Sequence, residues 1–153
     1  MRWTVYSLTS ACVLLFLTSG VALAGDPAPS IKWHQYDEGM ALAKSENKLA
    51  VLDFGAEWCG ACEEMNKTTF SDKDVISLQD RCIFIKVDVD KDDRAVDAYF
   101  GDDIKALGST LGMSSTPIYL PKVIIADPQG KELLRTDFIS AEEFVRRIKA
   151  VRP

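Results

Sequence analysis

Two cysteines, Cys59 and Cys62, follow a near-continuous apolar run, Leu49 to Phe54, and precede a polar, helix-forming run, Glu63 to Lys67. An apolar run of this kind reads as a strand covered on both faces. Strand, short turn, Cys-x-x-Cys and helix place the first cysteine at a helix N-terminus. Unsatisfied backbone N–H groups and the helix dipole favour an anion there. Such a setting favours the thiolate and makes Cys59 the nucleophile. Cys62 stands one turn further in, close enough to close a disulfide with Cys59. The pair reads as a dithiol that cycles between oxidised and reduced states, on a chain that must pack a sheet against helices.

Residues 1–24 read as a secretory signal peptide. Arg2 supplies the positive start, Ala11 to Leu17 the apolar centre, and Ala22-Leu23-Ala24 the small-residue cleavage site. The apolar stretch is shorter than the roughly 20 residues a membrane span needs; an uncleaved anchor is the alternative. Cys12 goes with the signal, and its context does not suit lipid attachment. Removing these 24 of 153 residues leaves 129, enough for one domain with a sizeable core. Losing Arg2 moves the formal charge from −5 to −6. That balance argues against nucleic acid as a partner. Export matters more, because disulfides persist outside the cytosol.

Residues 25–32 are expected to be a linker, rich in Pro, Ala and Gly over Asp26 to Ser30, and residues 33–153 the domain. Asp37 is expected to cap a helix over Glu38 to Glu46, with Met40 and Ala43 inward and Trp33 and Tyr36 covering a core edge. A short helix follows over Asp74 to Gln79, then a strand over Ile83 to Val89 and a charged surface loop from Lys91 to Arg94. Val96, Tyr99, Phe100, Ile104, Leu107 and Leu111 mark helix broken near Gly101. Lys122 to Ala126 is a third strand. Asp127-Pro128-Gln129-Gly130 turns into a fourth over Glu132 to Thr136. Ser140 to Glu143 reads as a capping box opening a helix that turns Phe144, Ile148 and Val151 inward. The alternation gives an α/β fold, a central mixed sheet with helices on both faces.

Asp53-Phe54 followed by Ala56-Glu57-Trp58-Cys59-Gly60-Ala61-Cys62 resembles the active-site segment of the thioredoxin superfamily, with Ala61 where thioredoxin has proline. Thr69-Phe70-Ser71-Asp72 with Val75, and Lys86-Val87-Asp88-Val89-Asp90, are similar to the periplasmic C-terminal domain of the transmembrane thiol:disulfide interchange reductases. The likeness runs from Trp33 to Ile148, and the motif, Trp-Cys-x-x-Cys between strand and helix, is specific. It implies a thioredoxin fold. It also implies that Asp53 is buried behind Cys62 and moves its proton, with Lys86 beside it. The residues alone leave open a strand-end Asp53 reaching solvent and a Lys86 snorkelling from a sheet edge. The resemblance further implies a cis-proline facing the dithiol. Thr116-Pro117 and Leu120-Pro121 both offer one, and Pro121 fits better because Pro117 would leave Pro121 inside the strand. Leu120 would then lend its backbone to a substrate strand. Trp58, Gly60 and Ala61 would border the same substrate. The loop Met113 to Tyr119 is longer than in thioredoxin.

The expected function is an exported, periplasmic thiol:disulfide oxidoreductase that reduces substrate-protein disulfides. Its partners would be those substrates and an electron-donor protein, membrane-bound or not. Strong oxidants of this fold resemble Cys-Pro-His-Cys, whereas Gly60-Ala61 offers a thiolate no partner, and Glu57 and Glu63 repel it. A disulfide oxidase or isomerase, or an adaptor or chaperone with a structural disulfide, are the alternatives. No cofactor beyond the Cys59–Cys62 pair is expected. Haem attachment needs histidine where Glu63 stands, and Cys82 and His34 make no recognised zinc spacing with the pair. His34 is expected at the surface. Cys82 is either a buried inert thiol or an exposed one that pairs with a partner.

Overall fold

The computed structural model describes residues 29–101 and 118–152. The signal sequence, Thr116-Pro117, most of the Met113 to Tyr119 loop, and Ile104, Leu107 and Leu111 lie outside the described residues. The elements are β1 (Trp33–His34), α1 (Tyr36–Glu46), β2 (Leu49–Gly55), α2 (Gly60–Thr68), α3 (Lys73–Ile76) with a 3-10 turn (Ser77–Asp80), and β3 (Cys82–Asp88). Then come α4, helical over residues 93–101, β4 (Lys122–Ala126), β5 (Glu132–Thr136) and α5 (Ala141–Ala150).

The strands form one sheet in the order β1-β3-β2-β4-β5. β1, β3 and β2 run parallel; β4 is antiparallel to β2, and β5 to β4. β2 sits at the centre and is buried at every position, which explains why it carries no polar alternation. Leu49, Val51, Phe84, Val123 and Ile125 face a core closed by α2, α3 and α5 through Met65, Val75, Phe144 and Ile148. Leu52, Phe54, Ile85, Val87 and Ile124 face the other core, closed by α1 and α4 through Ala43, Ala95, Tyr99 and Phe100. This is the mixed sheet, covered on both faces, that the sequence predicts. Each fully buried Leu, Ile or Phe contributes about 1.5–3 kcal/mol, so the two cores hold the sheet rigid beneath the dithiol.

Several boundaries differ from expectation. α1 starts at Tyr36 with Gln35 as N-cap and no side-chain cap; Asp37 lies in the first turn and pairs with Arg94 instead. What seats α1 is close packing: a Cβ on Gly39 would stand 2.4 Å from Ile85 Cγ1. β1 was not expected, since two residues show no periodicity. Gly101 is helical and is the last described residue before 118, so the break expected near it lies outside the described residues. The helix expected over Asp74 to Gln79 is an α-helical turn, Lys73–Ile76, followed by a 3-10 turn, Ser77–Asp80. Ser140 Oγ accepts from Glu143 N–H, but the Glu143 carboxylate pairs with Arg146 and Arg147 instead of closing the box. Residues 30–32, assigned to the linker by composition, are tied to the domain. Gln79 bonds Lys32 N–H and the Ser30 carbonyl, and Ile31 is buried in the core. Trp33 covers the core edge as expected, with edge-on contacts to Phe70 and Phe84.

Candidate active site

β2 ends at Gly55, and the chain turns so that Cys59 N–H donates to the Ala56 carbonyl. Cys59 is the N-cap of α2. Its sulfur accepts from Cys62 N–H at 3.1 Å and its carbonyl from Glu63 N–H, so the helix start is satisfied partly by the reactive residue itself. Cys59 and Cys62 are joined in a disulfide. Cys59 is 8% exposed and Cys62 4%, so the N-cap cysteine is the slightly more accessible of the two.

Gly55 backs the disulfide. A Cβ there would lie 3.4 Å from Cys62 Sγ, so the glycine leaves the space between strand and sulfur open. Asp53 is two residues earlier on the same face of β2, one rung deeper. It is 1% exposed. Its Oδ2 accepts from Lys86 Nζ at 2.5 Å, and its Oδ1 has no partner among the described residues. Burial pushes the Asp53 carboxyl up; the Lys86 ammonium opposes this without overcoming it. The strand-end, solvent-reaching Asp53 is therefore not what the fold contains. Lys86 lies just past the two residues of β3 that β1 covers, and its ammonium turns to Asp53 and Asn66 rather than running out to solvent. A cleft of about 330 Å³ beside the disulfide is lined by Gly55, Cys59, Cys62, Asn66, Lys86 and Asp88, among others.

Around this cleft, Trp58 is 70% exposed, and its indole N–H donates to Asp90 at 2.7 Å. Gly60 and Ala61 form the exposed first turn of α2, and a Cβ on Gly60 would meet open space. Glu57 is paired with Lys91, which also reaches Asp88. Glu63 is paired with Lys67, which holds its carboxyl below the usual range. The Leu120–Pro121 peptide is cis. Pro121 immediately precedes Lys122, which pairs with Phe54, so the register puts it at the end of the sheet from which the Cys59 turn emerges.

Asn66 and Trp33 also belong to the site, and the sequence reading missed both. Asn66 accepts from Lys86 Nζ at 2.8 Å, and the Trp33 ring centroid lies 4.9 Å from the same nitrogen. Asn66 could have been found, since it is four residues beyond Cys62 on one helix face. Trp33 gave no signal without β1. His34 is not at the surface: it is buried, with Nδ1 3.0 Å from Glu38 Oε1. Cys82 is a free, buried thiol that burial pushes up to about 12, which selects the inert reading. Among the described residues no group of three or more His, Cys, Asp or Glu is placed to hold a metal ion.

A mixed sheet covered on both faces, with a Cys-x-x-Cys disulfide capping the helix after its central strand, defines a thioredoxin-fold protein of the dithiol–disulfide oxidoreductase class. The chain belongs to the thioredoxin-like domain family, whose profile matches residues 36–152. It is 28% identical over 119 residues to the thiol:disulfide interchange protein DsbD of Pseudoalteromonas atlantica, covering 76% of this chain and 18% of that one. The DsbD of Pectobacterium atrosepticum is 32% identical over 120 residues, again 76% and 18%. This chain thus spans under a fifth of the length of these curated relatives. Among solved structures, a thioredoxin from Thermus thermophilus superposes with a TM-score of 0.58 at 22% identity, over 79% of this chain and 86% of that one. The DsbH oxidoreductase does so at 0.58 and 19% identity, over 86% and 93%. Both show the shared fold. No helix among the described residues is long and apolar enough to cross a membrane.

Proposed function

We propose that this protein is a periplasmic thiol:disulfide reductase that hands two electrons from its dithiol to disulfides of substrate proteins. The observation that carries the reading is the disulfide at the head of α2 together with Asp53, a buried carboxylate with one oxygen unpartnered among the described residues. A structural disulfide needs no proton acceptor behind it, whereas a reacting dithiol does.

In the reduced protein, the Cys59 thiolate attacks a substrate disulfide. One substrate sulfur leaves as a thiolate and takes a proton, and a mixed disulfide to Cys59 forms. Cys62 then gives its proton to Asp53 and attacks Cys59 Sγ. The second substrate sulfur leaves and is protonated, and the Cys59–Cys62 disulfide remains. A donor protein with its own dithiol reverses both steps on this protein and restores the reduced form. The likeness to DsbD supports a donor and acceptors that are themselves dithiol proteins. The signal-like residues 1–24 support the periplasm. Trp58, Gly60, Ala61, Leu120 and Pro121 border the substrate in this reading.

The test is single-turnover reduction of insulin by pre-reduced protein. Insulin thiols should appear in step with loss of the Cys59–Cys62 thiols, and Cys59→Ser should abolish transfer. A fully reduced protein that keeps its thiols over hours in the presence of insulin would favour the adaptor.

A further inference from the structure

Lys86 is a flexible side chain about a third exposed, standing between two clefts. One is the dithiol cleft of about 330 Å³; the other, of about 810 Å³, is lined by Ile31, Trp33, Phe70 and Ile76, and Asn66 and Lys86 wall both. Confining a lysine to one rotamer costs side-chain entropy. An ammonium with two wet clefts within reach gains hydration by leaving a buried carboxylate. Two further groups hold it there beside Asp53 itself. Asn66 Oδ1, from α2, accepts a hydrogen bond at 2.8 Å. The Trp33 ring, from β1, lies 4.9 Å from Nζ, within cation–π reach, and Phe70 at 6.0 Å stands at its limit. Trp33 is itself fixed by its register opposite Phe84 and its edge-on contacts with Phe70 and Phe84.

We propose that Trp33 and Asn66 are positioning residues that hold the Lys86 ammonium on Asp53 and thereby govern when Asp53 can take the proton of Cys62. The kinetic consequence rests on the reductase reading; the electrostatic one does not. The charged groups around Asp53 are Lys86 from β3 and, along the dithiol cleft, Asp88 from β3, Glu63 from α2 and Glu57 from the turn before α2, with Cys59 and Cys62 as the titratable thiols of the reduced protein. β4 places the apolar Val123 opposite it. Lys86 is thus the one cation facing Asp53 among the described residues. When it is released, burial acts on the carboxyl less opposed, and Asp53 keeps its proton to higher pH.

The experiment follows the Asp53 carboxyl carbon by NMR against pH in protein labelled at aspartate. Lys86→Met should move the midpoint up the most. Asn66→Ala and Trp33→Leu should each move it up by less, and Trp33→Phe, which keeps a ring, by less than Trp33→Leu. In the Lys86→Met background neither should add a shift. The acid limb of the mixed-disulfide resolution rate should move with the midpoint. If Asn66→Ala and Trp33→Leu leave the midpoint in place, or move it equally with and without Lys86, the proposal is overturned. Should Trp33→Leu lose the fold, Asn66→Ala, at an exposed position, and Trp33→Phe still decide it. A protein that shows these shifts but transfers no electrons to disulfides would sink the reductase reading and leave this one standing.

Discussion

Lys86 Nζ bonds one oxygen of Asp53, at 2.5 Å, and the other is buried without a partner among the described residues. A carboxylate held for structure alone would have both oxygens satisfied, since a buried unpartnered acceptor costs about 1–3 kcal/mol. In the proposed mechanism this oxygen takes the proton of Cys62. Asp53→Asn should therefore slow resolution of the mixed disulfide while leaving the first attack by Cys59 nearly unchanged. A positioned base contributes about 10²–10⁴-fold, so a loss of at least about tenfold in the second step is expected near neutral pH. Rapid-quench measurement of the two steps checks it; equal effects on both would make Asp53 structural only.

The same residue should cost stability. Burial raises the Asp53 carboxyl above its ordinary value of about 3.8. Between the unfolded value and the raised folded one, the native state binds more protons than the unfolded chain. Stability contributed by Asp53 is thus fully present below the unfolded value and is lost as pH rises through the folded one. Asparagine does not titrate. The melting temperature of Asp53→Asn relative to the parent should therefore climb from pH 3 towards pH 8. A difference that stays flat with pH would show that Asp53 titrates alike in both states.

Three thiols of the reduced protein should separate cleanly by reactivity. Cys59 caps α2 and is the slightly more accessible of the pair; Cys62 lies behind it against Gly55. Cys82 is buried at the start of β3, with its thiol pushed up to about 12 by desolvation, so almost none is thiolate at pH 8. Timed alkylation at neutral pH, read by peptide mass, should label Cys59 first, Cys62 much later and Cys82 only on unfolding. Cys82→Ala should leave insulin reduction unchanged. Early labelling of Cys62 would reverse the assigned roles.

The parts of this fold legible in the sequence are those where one physical constraint acts over several residues. β2 shows as an unbroken apolar run because both its faces are covered. β4 and β5 show as runs bounded by the cis Leu120–Pro121 peptide and by the Asp127 to Gly130 turn, where Asp127 Oδ1 accepts from Gln129 and Lys131 N–H. The dithiol shows because helix start and cysteine spacing coincide. What is not legible depends on long-range register. β1 exists only because two residues pair with β3, and that pairing buries His34 and brings Trp33 over Lys86. α1 starts one residue before Asp37, whose carboxylate pairs with Arg94, 57 residues away, rather than capping the helix. Lys86 is ambiguous in sequence because an interior lysine is explained only by Asp53 and Asn66, 33 and 20 residues away.

Redox poise follows from how well the reduced thiolate of Cys59 is held. Among the described residues, the hydrogen bond to Cys59 Sγ comes from Cys62 N–H alone. Gly60 and Ala61 offer it no side-chain donor. Glu57 and Glu63, whose repulsion the sequence suggests, are each neutralised by Lys91 and Lys67. That repulsion is therefore weaker than the bare sequence implies, and the one cation lining the cleft among the described residues, Lys86, is engaged by Asp53 and Asn66. Helix-start stabilisation alone leaves the reduced form less favoured than where a histidine lies between the cysteines. The potential should fall nearer the roughly −270 mV of thioredoxin than the roughly −120 mV of a strong oxidant. Equilibration with glutathione at set ratios, with thiols counted after acid quench, gives the value. A potential above about −180 mV, the isomerase range, would sink the reducing direction and turn the assignment to an oxidase or isomerase. Lys91→Gln, which frees Glu57 and Asp88 beside the motif, should move the potential further negative, and less so at high salt, because exposed charges are screened.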